Sequence, residues 1–501
     1  MYLSSNRSRQ IVALIALSAV MFLQNIDVSA VNLALATIAK EFNAKLSTIE
    51  WVLNIYAMAA GALMILSGRL GDIVGRRRIF IIGTILFGFA SLVSGLAPNT
   101  SIIIWGRLLQ GIGMAFIFPQ LIALSALGYP KERQAHAVAF MVSVAGLSQA
   151  VGPTVGGYII QWLSWRYIFL INVPVCLVAV FLTCISIAES RDETHKGGID
   201  YSGAILMSLS FLLITLALNE VQRWGIDSIK FIACFVLGIL TAAFFVWFER
   251  KLKSPLVDIK LFSQNKFVLA VLIRNFSIYG MTTVMLVMGL FMQNLLNYSA
   301  SRAGELFLGM TLLFGVISLF MGRVISRFGA MGPLLIGNFC GFVGLWWLSY
   351  LDGQSTFMQL IVGFCLVGTS LGVVMPTTVN VALSAIPQHK ISVASGVFYT
   401  LVFLSFSIAV AISGALLHNL GAHYFHQLLA QAHIQIAPAT AIVFSKIYSG
   451  AQSASSVSAF PALIHIAQGA FVAATHVVFK FAAILLLLGF ILCFKLKGDE
   501  K

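Results

Sequence analysis

Charged and amide side chains that interrupt long apolar runs are the residues of this chain best able to do chemistry. Asp27 lies within the first such run, and Gln24, Asn25 and Asn32 surround it. An ionised carboxylate is costly in an apolar environment. We therefore expect Asp27 either to take up and release a proton as its exposure changes, or to be a structural acid that is hydrogen-bonded to neighbouring helices.

Arg107 is the second charged residue deep inside an apolar run, beside Gln110 and Gly111. It lies about six residues, or roughly 9 Å, from the start of that run. Counted along an oppositely directed run, Asp27 has a comparable depth, so Asp27 or its amide neighbours are the nearest partners for the guanidinium group. If the two residues pair, protonation of Asp27 would release Arg107. A structural pair, or an arginine that donates to backbone carbonyls, is the alternative.

A short segment rich in glycine and arginine, residues 68–78, separates two apolar runs and is predicted to be a tight turn. Its one acid, Asp72, lies among four arginines, so an ion pair is expected. Two interpretations stay open: a latch that closes one end of the molecule in one conformation, or a basic anchor that orients the chain in a membrane. The residues of this candidate gate are Gly68, Arg69, Gly71, Asp72, Gly75, Arg76 and Arg77.

Glycines also surround a proline in a later apolar run. This pattern indicates close packing of helices and a bend, without requiring any other role. The residues are Gly146, Gly152, Pro153, Gly156 and Gly157.

In the second half of the chain, Glu305 is the one well-placed acid, and Gln293 lies in the preceding run. Together with Asn25, Asn32 and Gln110, these two residues form a candidate substrate site or second proton site. The alternative for Glu305 is an inert position at the membrane interface.

Membrane-spanning helices must position these residues. Of 501 residues, 59% are hydrophobic and only 10% are charged, and the mean hydropathy is +0.96. This composition excludes an ordinary soluble domain and predicts an all-α polytopic membrane protein. The apolar runs long enough to span a bilayer number fourteen and cover approximately residues 11–37, 49–68, 79–97, 101–127, 136–160, 165–188, 201–219, 229–248, 267–292, 303–321, 331–350, 356–385, 391–417 and 470–494.

The net charge of +14 agrees with this count. About two-thirds of the lysines and arginines fall in alternate connections, as expected for the cytoplasmic side, and an even number of spans puts both termini there. This distribution makes nucleic-acid binding an unnecessary explanation for the charge.

A repeat divides the chain into two halves. Residues 322–329 have the glycine and arginine spacing of residues 68–75 and follow the equivalent span. The predicted arrangement is a six-helix half over 1–190, a two-helix insertion over 191–260, and a second six-helix half over 261–501. The last half includes a hydrophilic extracytoplasmic loop at about 418–469.

Cofactor sites are not indicated. The six cysteines lie in apolar runs without metal-binding spacing. His423 and His426 in the predicted loop have a spacing that two metal ligands could use, but no acids lie nearby, which favours a solvated loop. No phosphate-binding loop or catalytic triad context is present, so neither an ATP-driven pump nor an enzyme is expected.

Together these motifs resemble the fourteen-span drug:proton antiporters of the major facilitator superfamily. Residues 68–77 are similar to the signature between spans two and three, residues 107–111 to the proton-coupling motif of span four, and residues 146–157 to the antiporter signature of span five. Residues 25–35 resemble the first-span motif of that branch, and residues 165–174 resemble its span-six opening. Ala36 departs from a usual proline, and Glu305 from a usual apolar residue.

The resemblance implies a major facilitator fold and proton-coupled efflux of amphipathic or cationic drugs and other small toxic molecules by alternating access. Asp27 and Arg107 would take part in proton coupling, residues 68–78 in gating, and the span-five signature in export. It implies no cofactor, since the proton gradient drives transport, and it implies a location in the cytoplasmic (inner) membrane. A periplasmic adaptor and an outer-membrane channel would be optional partners.

Two other functions stay open at this point. A dedicated exporter of one endogenous metabolite, siderophore or lipid-like compound, working in an envelope-spanning assembly, would have much the same sequence. A membrane sensor or receptor would usually carry an appended soluble signalling domain, which this sequence does not indicate.

Overall fold

The computed structural model of the chain consists of long helices. It describes residues 7–44, 46–129, 131–191, 200–252, 255–257, 259–298, 300–384, 386–387, 390–434, 444, 447 and 461–499. The α-helices of these residues are α1 (Arg7–Glu41), α2 (Leu46–Val74), α3 (Arg76–Gly95), α4 (Thr100–Leu127), α5 (Lys131–Trp162), α6 (Arg166–Leu170), α7 (Asn172–Ser186), α8 (Tyr201–Trp224), α9 (Ile229–Glu249), α10 (Asn265–Thr283), α11 (Ala300–Phe328), α12 (Met331–Leu348), α13 (Phe357–Ser384), α14 (Ile391–Gln431) and α15 (Pro461–Cys493).

The helices have the length and composition that a bilayer requires. Because hydrocarbon offers no partner to backbone N–H and C=O groups, a spanning segment must satisfy them internally, as a helix does. Thirteen helical segments within the described residues are long and apolar enough to span a membrane, counting α6 with α7, and α10 with the π-helical turns that extend it to Leu295. Helix α5, with 32 residues, is long enough to be the fourteenth. The predicted all-α polytopic architecture is confirmed.

The predicted turn over residues 68–78 is wrong in extent. Helix α2 continues to Val74 and α3 begins at Arg76, so the reversal is made by Gly75 alone. Gly75 has φ 130°, and Gly329 in the repeat has φ 74°. Residues with a side chain rarely adopt such backbone angles, whereas glycine adopts them without steric cost. The repeat therefore matches a short reversal in each half that uses a glycine with positive φ: Gly75 alone in the first half, and Gly329 with Ala330 in the second.

The predicted loop at about 418–469 is also partly wrong. Helix α14 continues to Gln431 and α15 begins at Pro461. The added turns are helical because their apolar residues have a partner: Phe425 and Leu429 form one buried cluster with Leu463 and Ala467. His423 and His426 lie on this helical extension, and the described residues contain no group of three or more side chains arranged to hold a metal. The rest of the loop lies largely outside the described residues.

The helices form two bundles. Helices α1 to α7 pack mainly among themselves, as do α10 to α15, while α8 and α9 pair with each other. The bundles meet along two seams, α2 against α14 and α5 against α11, and α8 contacts both helices of the first seam. We call the end at which α1 begins, α2 ends and α14 begins the terminal face.

Glycines let the backbones touch along both seams, from the middle of α5 and α11 to the terminal face. A Cβ atom on Gly396 would lie 2.6 Å from the Met64 carbonyl oxygen, and one on Gly146 would lie 2.9 Å from the Gly315 nitrogen. A Cβ on Gly68 would overlap the carbonyl oxygen of Ser392. These positions therefore require glycine in this conformation, in which the bundles are joined at the terminal face.

Candidate functional site

A buried ion pair lies inside the first bundle. Arg107 Nη1 of α4 lies 2.5 Å from Asp27 Oδ2 of α1, and the residues are only 0% and 1% exposed. The sequence placed both residues at similar depth without showing contact, and the structure brings them together. Pairing offsets part of the cost of burying the two charges, and removing one partner leaves the other uncompensated.

The remaining groups around Arg107 hold it in one orientation. Its Nε donates to the Val52 carbonyl oxygen of α2 at 2.9 Å, and Nη1 also donates to Gln110 Oε1 at 3.0 Å. The guanidinium carbon lies 4.0 Å from the centre of the Tyr56 ring, a cation–π distance. The pair therefore ties α1, α2 and α4 together.

Amides and a hydroxyl complete the surroundings of Asp27. Its Oδ1 accepts from Asn172 Nδ2 of α7 at 3.1 Å, with Gln110 Nε2 at 3.4 Å, and both amides donate to Ser91 Oγ of α3. Arg107 and the two amides thus donate to the carboxylate, while Ser91 accepts from both amides and helps to hold them in place. If Asp27 gained a proton, the Arg107 charge would lose its counter-ion, and these hydrogen bonds would have to change.

Sequence reasoning did not assign Ser91, Tyr56 or Asn172 to the site. Asn172 was visible as an amide within an apolar run, and it lies in the segment 165–174 that carries the resemblance. Ser91 and Tyr56 gave no comparable signal, because single hydroxyl groups are common in spanning helices and usually bond to their own backbone.

The other candidate substrate residues are not gathered at this site. Asn25 donates its amide to the Met21 carbonyl oxygen on its own helix at 2.8 Å. Gln293 and Glu305 are exposed. The side chain of Asn32 lies outside the part of the chain that the structure describes. Among the members of that set whose side chains the structure describes, Gln110 is the residue that hydrogen-bonds to the ion pair.

The candidate gate forms a second buried ion pair, and this pair reaches across a seam. Arg76 Nη2 lies 2.7 Å from Asp72 Oδ1, and Arg76 Nε donates to Ser392 Oγ of α14 at 2.8 Å. Asp72 Oδ2 accepts from the Val393 backbone N–H at 3.3 Å. Because Val393 is in the first turn of α14, its N–H is one of the free donors of a helix start, where a carboxylate is favourable.

Glu189 fixes the other side of the gate. Its carboxylate accepts from the backbone N–H groups of Arg77 at 3.0 Å and Arg78 at 3.1 Å, at the start of α3. Arg77 Nη2 also donates to the Cys184 carbonyl oxygen at 2.8 Å. The chain after α7 thus holds the α2–α3 reversal in place, while Asp72 and Arg76 connect that reversal to the second bundle.

The glycines of α5 have separate contacts. Gly146 lies on the seam with α11, whereas a Cβ atom on Gly156 would lie 2.7 Å from that of Ala30 in α1. Gly152 is buried, and a Cβ on Gly157 would meet nothing within 4 Å. Helix α5 continues through Pro153, whose side chain is outside the described set. Two of these glycines therefore serve close packing, one within a bundle and one between bundles.

An ion pair at the face opposite the terminal face gives a prediction about how stability depends on pH. Glu41, at the end of α1, accepts from Trp165 Nε1 at 2.6 Å and Arg166 Nη1 at 2.7 Å. The Trp165 hydrogen bond and then Arg166 hold the pKa of Glu41 below its ordinary value of 4.5. The Glu41 carboxylate therefore adds to the free energy of unfolding at pH values above 4.5. This stabilisation is lost as the pH falls through the lower pKa of the folded state.

We expect Glu41→Gln to destabilise the protein by less than about 1 kcal/mol at neutral pH, because the pair is partly exposed. Thermal unfolding in detergent, compared between neutral and acidic pH, measures the difference. It should shrink as the pH falls below 4.5. A difference that persists unchanged at acidic pH would show that the carboxylate charge is not responsible.

Comparison with known proteins agrees with this architecture. The profile of the Major Facilitator Superfamily matches residues 17–410. The chain is 29% identical over 412 residues to multidrug resistance protein Stp of Mycobacterium tuberculosis, covering 81% of this chain and 76% of Stp. It is 27% identical over 431 residues to the tetracenomycin C resistance and export protein of Streptomyces glaucescens, covering 86% of this chain and 80% of that protein.

A solved structure shows the same fold. The human organic anion transporter MFSD10 (TETRAN) superposes with a TM-score of 0.62 over 97% of each chain at 13% sequence identity. With the family match over residues 17–410, this similarity confirms the major facilitator fold expected from the sequence. The chain therefore belongs to the Major Facilitator Superfamily and is a multi-pass membrane transporter rather than an enzyme.

Proposed function

We propose that this transporter exports amphipathic small molecules, including drugs and other toxic compounds, in exchange for protons. The observation that carries the proposal is the Asp27–Arg107 pair, which is fully buried and surrounded by groups oriented toward a carboxylate. Transporters of this family generally need no cofactor. A titratable acid linked to three helices is a device by which proton binding can drive a rearrangement.

The proposed cycle uses both ion pairs. Protonation of Asp27 frees Arg107 from its counter-ion and loosens the contacts among α1, α2 and α4. Because α2 also carries Asp72, movement of α2 acts on the contact with α14 and allows the terminal face to open. The binding region lies between the bundles, as in other transporters built from two related halves.

The cytoplasmic side is assigned to the terminal face by its basic residues, which include Arg76, Arg77 and Arg78. The proposed location is the cytoplasmic membrane, with both termini inside. A proton that enters the cell then supplies about 2.3 kcal/mol per 100 mV of membrane potential. One or two protons per cycle therefore support export against a considerable gradient.

The relatives support export of toxic compounds as the activity. The two proteins compared above are named for multidrug resistance and for tetracenomycin C resistance and export. Each aligns with most of this chain, so the likeness is to the transporter as a whole. Export of drugs is therefore the preferred function over export of a single endogenous metabolite.

Purified protein in liposomes with an imposed pH gradient provides the test. Fluorescent amphipathic compounds are added, and proton movement and compound movement are followed together, with protein-free liposomes as the control. We expect compound-dependent proton flux in the direction opposite to compound flux. Compound movement without proton flux would contradict the proposal. Transport by this chain alone would also show that the step needs no periplasmic adaptor or outer-membrane channel.

A further inference from the structure

Arg274 is a buried positive charge in the second bundle that the proton-coupling site does not use. It lies on α10 and is 7% exposed. Its Nη1 donates to the Met375 carbonyl oxygen of α13 at 2.7 Å, while its buried Nε has no acceptor among the described residues. A guanidinium group has five N–H donors, so most of its hydrogen-bonding capacity is available.

No acid compensates this charge within the part of the chain that the structure describes. Arg274 takes part in none of the ion pairs found there. In helices α10 to α15 the one acid is Glu305, which is exposed near the opposite face. In the first bundle, Asp27 and Asp72 are already bound to arginines of their own. A charge buried without a partner is costly, and in membrane proteins such a charge usually marks a functional site.

Aromatic rings lie against the free guanidinium group. Its central carbon lies 5.3 Å from the Phe398 ring centre and 5.5 Å from that of Tyr399, both on α14. Tyr399 in turn packs edge to face against Phe118 of α4, with 4.5 Å between ring centres. Phe118 belongs to the first bundle, so Arg274 is next to the contact between the bundles. Opening of the terminal face would separate Phe118 from Tyr399 and create a space beside the rings that cover the guanidinium group, because Phe398, Tyr399 and Arg274 all belong to the second bundle.

We infer that Arg274 binds the anionic group, a carboxylate or sulfonate, of an amphipathic aromatic substrate whose rings pack among Phe398, Tyr399 and Phe118. This inference rests on the proposed export function and specifies the substrate class. Because Arg107 is neutralised by Asp27, Arg274 leaves the region between the bundles with net positive charge, which repels simple cations. Anionic or zwitterionic amphiphiles are therefore favoured over the cationic compounds that the family resemblance suggests.

Three probes with one aromatic group and different charges test this selectivity. They are 1-pyrenebutyrate, the neutral 1-pyrenebutanol and the cation 4-(1-pyrenyl)butyltrimethylammonium. Energy transfer from the tryptophans of the purified full-length protein to pyrene gives each Kd in detergent. We expect the wild type to prefer the carboxylate. Arg274→Gln should weaken carboxylate binding about tenfold or more, equal to about 1.4 kcal/mol, and leave binding of the alcohol within about twofold.

Two variants separate charge from structure. Arg274→Lys keeps the positive charge and should keep the preference for the carboxylate, although without planar, two-pronged hydrogen bonding. Arg223→Gln removes an exposed arginine of α8, whose side chain is 65% exposed, and should change none of the three affinities. Thermal unfolding of each variant shows whether it is folded.

A wild type that does not prefer the carboxylate would overturn the inference. Equal weakening of all three probes by Arg274→Gln would do the same, since it would assign Arg274 to packing. The proton-flux assay is independent of this comparison. Compound-coupled proton movement without a preference for the carboxylate would support the proposed function and refute the substrate assignment. A preference for the carboxylate without compound-coupled proton movement would support the substrate assignment and refute proton coupling.

Discussion

Asp27→Asn is expected to reduce compound-coupled proton flux in liposomes to the level of protein-free liposomes. Asparagine keeps the approximate shape of the side chain but has no charge that a proton can change, and its Nδ2 donates where a carboxylate oxygen accepted. It also leaves Arg107 buried without a counter-ion, so the variant should be about 3–5 kcal/mol less stable. Flux is measured with a pH-sensitive dye inside the liposomes, and stability by thermal unfolding.

Two further variants make the Asp27 result specific. Asp27→Asn combined with Arg107→Gln removes both charges and should regain most of the lost stability, yet stay uncoupled. Asp352→Asn removes an exposed acid between α12 and α13 and should leave the flux unchanged. If Asp27→Asn moved protons together with the compound as the wild type does, Asp27 would have no part in coupling.

Gly68→Ala is expected to shift the protein away from the conformation described here and to slow export strongly. The added methyl group would overlap the Ser392 carbonyl oxygen, which is backbone and cannot turn away. Such overpacking costs about 1–3 kcal/mol, and each 1.4 kcal/mol changes the ratio of two conformations about tenfold. The cost applies only where the seam is closed, so the open form gains in population.

Spin labels on opposite bundles measure this shift directly. With the six native cysteines replaced, cysteines introduced at Val74 of α2 and Phe328 of α11 carry labels at the terminal face, where both residues are exposed. The distance distribution should move to longer values in Gly68→Ala. Gly304→Ala is the matched control, because a Cβ there meets nothing within 4 Å. An unchanged distribution with full transport would refute the seam argument.

Much of the fold could be predicted because the membrane imposes it. Apolar runs of sufficient length must be helices, and the basic connections and the repeat at residues 322–329 order them. The errors occurred where tertiary packing decides. Helix α14 extends beyond its apolar run because Phe425 and Leu429 have a partner in α15. The segment 68–78 contains three glycines, and nothing local shows that only Gly75 makes the turn.

The part of the candidate site that could be predicted is the depth of each charged residue within its apolar run. Residue counts placed Asp27 and Arg107 at the same level, and a charge buried in apolar surroundings needs a partner. Contacts between helices far apart in sequence could not be predicted in the same way. Ser392 and Val393 lie more than 300 residues from Asp72, and no pattern around them indicates that they complete the gate. Arg274 was visible as a charged residue in a span, but that none of the described carboxylates pairs with it is a finding of the structure.

The position of α8 has a consequence for compounds dissolved in the lipid leaflet. Its Phe211 ring lies against Gly61 of α2, its Ser208 hydroxyl donates to the Ala62 carbonyl oxygen at 2.8 Å, and the helix also contacts α14. Helices α8 and α9 thus cover the flank of the transporter at which α2 meets α14. In the conformation described here, a lipophilic molecule that diffuses in the bilayer meets α8 before it can reach the seam between α2 and α14. Within the described residues, α8 and α9 make no comparable contact with α5 or α11, so these two helices do not restrict an opening of that second seam toward the lipid.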